Sequence, residues 1–152
     1  MYRDWPDELT GFESFLEQMG LVFKWTWQAP GAPYREVQWA DDRLRVKAVW
    51  EKGLWWIEIA DAAWPDKPYG VRTIRDFLHA QITASPMTIQ ESVSFLESNW
   101  AAVVSSFAPE CASMTHAALQ LAAGENARRL FPQERWYSPF VRSLRRFRHR
   151  HT

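Results

Sequence analysis

Asp76 and His79 stand three residues apart in Asp76-Phe77-Leu78-His79, a spacing that puts both on one side of a helical turn. Such a pair could hold one cation, but a metal site needs at least a third ligand and none stands at matching spacing. The pair therefore reads as a solvated polar face. Cys111 and His116 are five apart, so on one helix they project in poorly matched directions. A thiolate nucleophile also needs a group that orients its imidazole, and the sequence shows none; Cys111 reads as a buried, inert thiol. His149 and His151 alternate with arginines, where metal capture competes with charge repulsion. There is no Gly-rich phosphate loop with its lysine and no dinucleotide fingerprint. Carboxylates are plentiful, but no pair is set in an apolar surrounding that would split their pKa values. No catalytic residue and no cofactor is expected.

The bulk composition sets the class. The chain has 152 residues, 47% apolar and 24% charged, ordinary values for one soluble globular domain. One cysteine excludes an internal disulfide framework. The opening Met1-Tyr2-Arg3-Asp4-Trp5-Pro6-Asp7-Glu8 does not resemble a signal peptide, and no apolar run approaches the roughly 20 residues that span a bilayer, so a cytoplasmic protein is expected. Net charge is zero but uneven. Residues 1–134 hold 12 Lys/Arg against 18 Asp/Glu, whereas residues 135–152 hold six arginines and no acid. Ten tryptophans are far more than a domain of this size usually carries.

The elements that must position these residues follow from periodicity. Asp7 is an N-cap candidate ahead of Leu9, Phe12, Phe15, Leu16 and Met19 at helical spacing, with Gly20 as a stop. Leu21, Phe23, Trp25 and Trp27 then alternate with polar and smaller residues, which predicts a strand burying that aromatic face. Pro30 and Pro33 mark a loop. Residues 34–40, 43–51 and 54–60 read as three more strands joined by turns at Asp41-Asp42 and Lys52-Gly53. A helix is expected around Ile74, Phe77, Leu78 and Ile82. Thr88-Ile89-Gln90-Glu91 has the form of a capping box ahead of a long apolar pattern from Ile89 to Phe107. A last helix is expected to bury Met114, Ala117, Ala118, Leu121 and Ala122, closing at Phe131-Pro132.

Strand register can be tested on paper, because a slip of one residue sends every side chain to the other face. A three-residue turn placing Trp50 opposite Leu54 would put Arg45 and Lys47 on one face with Ile57 and Ile59. A two-residue turn with Gly53 at positive φ instead pairs Trp50 with Trp55, Ala48 with Ile57 and Val46 with Ile59. The same treatment of Asp41-Asp42 pairs Trp39 with Leu44 and lays Glu36 opposite Lys47. One face is then apolar and the other carries a Glu36–Lys47–Glu58 ladder of favourable charge pairs. The expected fold is α+β: an N-terminal helix, a four-stranded antiparallel meander, and three helices packed on one sheet face. Residues 1–132 form one domain and residues 133–152 a basic tail.

In the chosen register Trp56 points away from the helices beside the charged ladder, and Trp64 and Tyr69 follow in a proline-rich loop. An outward tryptophan beside an aromatic loop suits a protein–protein hot spot. The candidate contact residues are Glu36, Lys47, Trp56, Glu58, Trp64 and Tyr69. In the tail, Phe140, Val141, Leu144 and Phe147 fall between Arg142, Arg145, Arg146, Arg148 and Arg150, as in a short cationic amphipathic helix. It reads as a solvated terminus, as a segment docking on the acidic body of this chain or of a second copy, or as a binder of nucleic acid or an anionic membrane. The acidic body would repel phosphate.

The hairpin Arg45–Ile59, the stretch Val71-Arg72-Thr73-Ile74-Arg75-Asp76-Phe77-Leu78, then Ser94-Phe95-Leu96-Glu97-Ser98-Asn99-Trp100 and Arg128-Arg129-Leu130-Phe131 together resemble small bacterial α+β proteins, among them immunity proteins of polymorphic toxin systems. The resemblance covers about residues 20–131 and excludes the tail. It implies a protein that neutralises a toxin by occluding it, and it carries no catalytic residues. An acidic body would suit a basic toxin domain as partner. Two other readings stand beside it. One is a small enzyme or ligand binder with an aromatic pocket between sheet and helices, walled by Trp25, Trp27 or Trp100. The other is a nucleic-acid or membrane accessory acting through the tail.

Overall fold

In the computed structural model of the chain, residues 5–130 are described, apart from Ala32 and Ala84. The arginine tail and the Phe131-Pro132 stop lie outside the described residues. Chain order is α1 (Asp7–Gln18), β1 (Val22–Gln28), β2 (Tyr34–Ala40), β3 (Leu44–Glu51), β4 (Leu54–Asp61), β5 (Tyr69–Gly70), α2 (Val71–Leu78), α3 (Ile89–Ser106) and α4 (Ala112–Leu130). The sheet runs β1-β2-β3-β4-β5, antiparallel at every pairing. This is the expected α+β order, with a two-residue fifth strand added. No helix among the described residues is long and apolar enough to cross a membrane.

The inner sheet face presents Val37, Trp39, Val46, Ala48, Ile57 and Ile59 to Leu9, Phe12 and Leu16 of α1, Ile74 of α2, and Leu96 and Val103 of α3, all buried. Trp5 closes one end of this core edge-on to Trp39 and Trp55. Pro6, not Asp7, caps α1, and Asp7 and Glu8 occupy its first turn, where acids suit the helix dipole. At α3 the Thr88–Glu91 capping box forms as the sequence predicts.

The β3–β4 pairing matches the two-residue turn, with Trp50 opposite Trp55 and Lys47 opposite Glu58. Lys52 (φ 51°) and Gly53 (φ 86°) both take the left-handed region that such a hairpin demands. The β2–β3 pairing differs from expectation by two residues, with Trp39 opposite Val46 and Glu36 opposite Val49. The cause is Asp41. Its Oδ1 accepts the N–H groups of Arg43 and Leu44, and its Oδ2 holds the Arg43 guanidinium. The reversal is thereby moved onto Asp42-Arg43. A shift of two preserves which face each side chain takes.

Two expectations fail on phase. At β1 the register shifts between Phe23 and Trp25, so Lys24 is an extra residue. Such a bulge moves the following side chains to the opposite face. Phe23 sits opposite Trp39 on the inner face, but Trp25 and Trp27 face outward opposite Gln38 and Glu36. At α4 the apolar residues expected inside, Met114 and Leu121, are about three-quarters exposed (75% and 73%). The buried side is Thr115, His116, Leu119, Ala122 and Asn126. Thr115 Oγ1 donates to the Ser106 carbonyl (2.5 Å), and Asn126 Nδ2 donates to Asp76 Oδ2 (3.0 Å). Hydrogen bonding, more than apolar area, orients this helix.

Lysine at φ 51° is strained where asparagine is at ease, so Lys52→Asn is expected to stabilise by about 0.5–1 kcal/mol, read as a raised midpoint in urea unfolding. Burial alone would raise the Asp41 carboxyl, but the Leu44 N–H, the Arg43 guanidinium and the Arg43 N–H outweigh it and hold it below its ordinary value. A carboxyl lowered by folding contributes stability above its unfolded value of about 3.9 and loses it as pH falls through the folded one. Asp41→Asn should therefore cost about 1 kcal/mol at neutral pH, with the difference from wild type closing below about pH 4 in pH-dependent urea unfolding.

Candidate functional site

The outer sheet face is built by alternation along strands whose other face is core. Across its middle run Trp27, Glu36, Val49 and Trp56, and beside them Trp25, Gln38, Lys47 and Glu58. Glu36 and Lys47 meet diagonally, Nζ to Oε2 at 3.5 Å. Tyr34 donates its hydroxyl to the same Glu36 carboxylate at 2.7 Å. Burial, then that bond, push the Tyr34 phenol well above its usual range, so it stays a donor. Trp56 donates Nε1–H to Glu58 Oε1 at 2.9 Å and is half-buried. Val49 between these side chains is 1% exposed although it faces away from the helices. The outer face thus packs a small apolar layer of its own, with Trp25 (38% exposed) and Trp27 (47%) at its β1 end and Trp27 edge-on to Tyr34.

At the other end the β4–β5 loop folds against the sheet. Gln38, Arg45, Lys47, Glu58 and Ala60 from the strands, with Pro65, Asp66 and Pro68 from the loop, line a groove of about 180 Å³. That is below the roughly 300 Å³ at which small-molecule sites begin, and suits one inserted side chain better than a cofactor. Trp64 at the loop tip is 46% exposed, with Lys67 Nζ 4.6 Å from its ring centroid.

Of the six contact candidates, Glu36, Lys47, Trp56 and Glu58 are brought together on this face, and Trp64 lies in the adjoining loop. Tyr69 is not available to it. It opens β5 opposite Ile59, points inward and is 7% exposed. The aromatic pocket between sheet and helices does not assemble either. Trp25 and Trp27 lie on the far side of the sheet from Trp100, which is buried edge-on to Phe15.

The residues considered for chemistry have other partners. Asp76, its side chain fully buried, accepts from Asn126 and Thr83 and pairs with Arg75, while His79 packs edge-on to Phe95. Among the described residues no three His, Cys, Asp or Glu converge as a metal site. His116 does have an orienting acid that sequence reading missed. Its Nε2 lies 3.4 Å from Asp61 Oδ2 and its Nδ1 lies 3.1 Å from Tyr69 Oη. Both ring nitrogens are engaged, so neither is free to activate Cys111. The partners stand 55 and 47 residues away in sequence, beyond the reach of any spacing rule.

Comparison with known proteins adds no relative. No family model matches the chain, nor does any curated protein or solved structure compared with it. Function is therefore read from the geometry of the chain itself.

Exposed tryptophans that do not hold the fold should be replaceable. Trp25→Ala and Trp27→Ala are expected to change stability by about 1 kcal/mol or less, whereas Trp39→Ala, fully buried, should cost about 3–5 kcal/mol in urea unfolding.

Proposed function

We propose that this chain is a protein-binding module of the immunity type, which neutralises a bacterial toxin domain by covering it. The observation that carries the reading is the outer sheet face, where Trp25, Trp27 and Trp56 border the Glu36–Lys47–Glu58 ladder and none of the described helices lies over them. Tryptophan and tyrosine set among charged residues match the composition of binding hot spots, which use large rigid rings at low entropy cost. The contact set is revised accordingly: Glu36, Lys47, Trp56, Glu58 and Trp64 remain, Trp25 and Trp27 join them, and Tyr69 is withdrawn.

Electrostatics support the kind of partner. Residues 1–134 carry a balance of −6, which would steer a basic domain toward the chain. The groove beside the ladder has Arg45 and Asp66 in its lining to receive one side chain of that partner.

The test is coexpression with a toxin domain encoded beside the gene of this chain, read as growth rescue and as a complex in size-exclusion chromatography. Trp56→Ala and Trp27→Ala should each weaken the complex by about 30-fold, equivalent to about 2 kcal/mol, without unfolding the chain. Undiminished binding by both variants would remove the outer face from the interface.

A further inference from the structure

The β4–β5 loop leaves the sheet at Asp61 and rejoins it at Tyr69, and one side chain from α4 touches both ends. His116 places Nε2 3.4 Å from Asp61 Oδ2, longer than an ordinary N–H···O hydrogen bond, and Nδ1 3.1 Å from Tyr69 Oη. The same ring lies against Trp64 at the loop tip, centroids 5.2 Å apart, and Phe107, just past the end of α3, is edge-on to it at 5.9 Å. Asp61, Tyr69 and His116 are each more than nine-tenths buried. Asp61 also ties the loop backbone, its Oδ1 accepting the Ala63 N–H at 2.8 Å.

Proton positions follow from donor and acceptor chemistry. The Asp61 carboxylate only accepts, so the neutral imidazole carries its hydrogen on Nε2 and takes the Tyr69 hydroxyl hydrogen on Nδ1. Burial pushes the Tyr69 phenol up, which keeps that hydroxyl a donor. A proton arriving from solvent binds Nδ1. The hydroxyl then rotates to accept from Nδ1–H and turns its own hydrogen to the His116 carbonyl oxygen, 3.5 Å away. Each state thus has an acceptor in reach of the hydroxyl hydrogen, the carbonyl one at a long distance. In the protonated one, the long contact to the Asp61 carboxylate joins opposite charges, where in the neutral one only the acceptor is charged.

We infer that His116 is a proton-responsive latch on the β4–β5 loop, holding Trp64 and the groove wall of Pro65, Asp66 and Pro68 more tightly when protonated. The groups facing the ring account for the direction. Asp61 from β4 is the charge in contact, and Tyr69 from β5 is neutral. In the loop Asp66 and Lys67 are exposed, Lys67 being seated over Trp64. Phe107, just past α3, carries no charge, nor does any neighbour of His116 within residues 112–120 of α4. The role assigned to the loop at a partner surface rests on the function proposed above, whereas the latch is a property of the free chain. His116 is a positioning residue.

Hydrogen exchange of the free full-length chain tests it, followed in peptides spanning residues 62–68 and corrected for intrinsic rates. Between about pH 8 and about pH 5, protection of the loop should rise on the order of tenfold while the β3–β4 hairpin stays constant. His116→Gln keeps a hydrogen-bonding side chain that cannot take the proton, and its loop protection should not vary with pH. Tyr69→Phe keeps the ring, removes the hydroxyl that answers the proton, and should blunt the wild-type response. The inference is overturned by a wild-type loop whose protection is independent of pH, or by an equal pH response in His116→Gln. The first needs no variant, so misfolding of a variant does not rescue the idea. A loop that responds as described in a chain that binds no toxin would overturn the immunity reading and leave the latch standing.

Discussion

At Lys52-Gly53 the chain reverses in two residues, both at positive φ, and that hand of turn matches the right-handed twist of the strands it joins. The pairing of Trp50 with Trp55 follows, and with it the face of every side chain in β3 and β4, because successive residues alternate. A reversal one residue longer would set Trp56 beside Ala48 in the core and Ile57 beside Lys47 outside. The Trp56–Glu58 bond, the lysine in the middle of the ladder and the apolar inner face all presuppose the shorter turn. The Asp41 loop can slide the β2 register by two residues without disturbing this, since an even shift leaves the faces unchanged.

That difference explains what could be read from sequence. Parity was legible for β2, β3 and β4, because a wrong choice buries Arg45 and Lys47. The exact partners across β2–β3 were not, because they depend on the Asp41 side chain standing in for a backbone acceptor. The bulge at Lys24 leaves no mark in a stretch whose alternation is unbroken from Leu21 to Trp27. The large apolar residues of that stretch fit a core and a binding surface equally well, so composition could not assign Trp25 and Trp27. Tyr69, between Pro68 and Gly70, has the local chemistry of a loop, yet two residues of ladder and an inward ring make it part of the core.

Helix α4 misleads for a different reason. Its apolar residues favour Met114 and Leu121 as the buried face, but the helix is turned the other way by Thr115, His116 and Asn126. Each of these bonds contributes only about 1 kcal/mol net, yet leaving the buried Asp76 carboxylate without its donors costs considerably more. Asn126 is not fully satisfied even so, since its Oδ1 has no hydrogen-bond partner. The orientation is therefore set by what must not be left unpaired. Apolar periodicity is blind to that rule when the partners lie 50 or more residues away.

The same helix links the two sides of the sheet. Asn126 fastens α4 to α2 through Asp76, and ten residues earlier His116 fastens it to the strand ends that bracket the β4–β5 loop. β5 pairs with β4 through Tyr69 and Gly70 alone, too short a ladder to fix the seven residues that precede it. The turn bonds Trp64 N–H to the Asp61 carbonyl and Lys67 N–H to the Trp64 carbonyl shape the loop locally, and the Ala62 N–H bond to the Arg43 carbonyl ties only its first residue to the body. Beyond Ala63, whose N–H is held by Asp61 Oδ1, anchoring falls to the rings and to the imidazole behind them. A helix on the core side thereby sets the position of a loop that borders the outer face, and the path runs around the β5 edge rather than through the packed sheet. A change in what holds His116 would move Trp64 and the groove wall and leave the Glu36–Lys47–Glu58 ladder where the hairpin puts it.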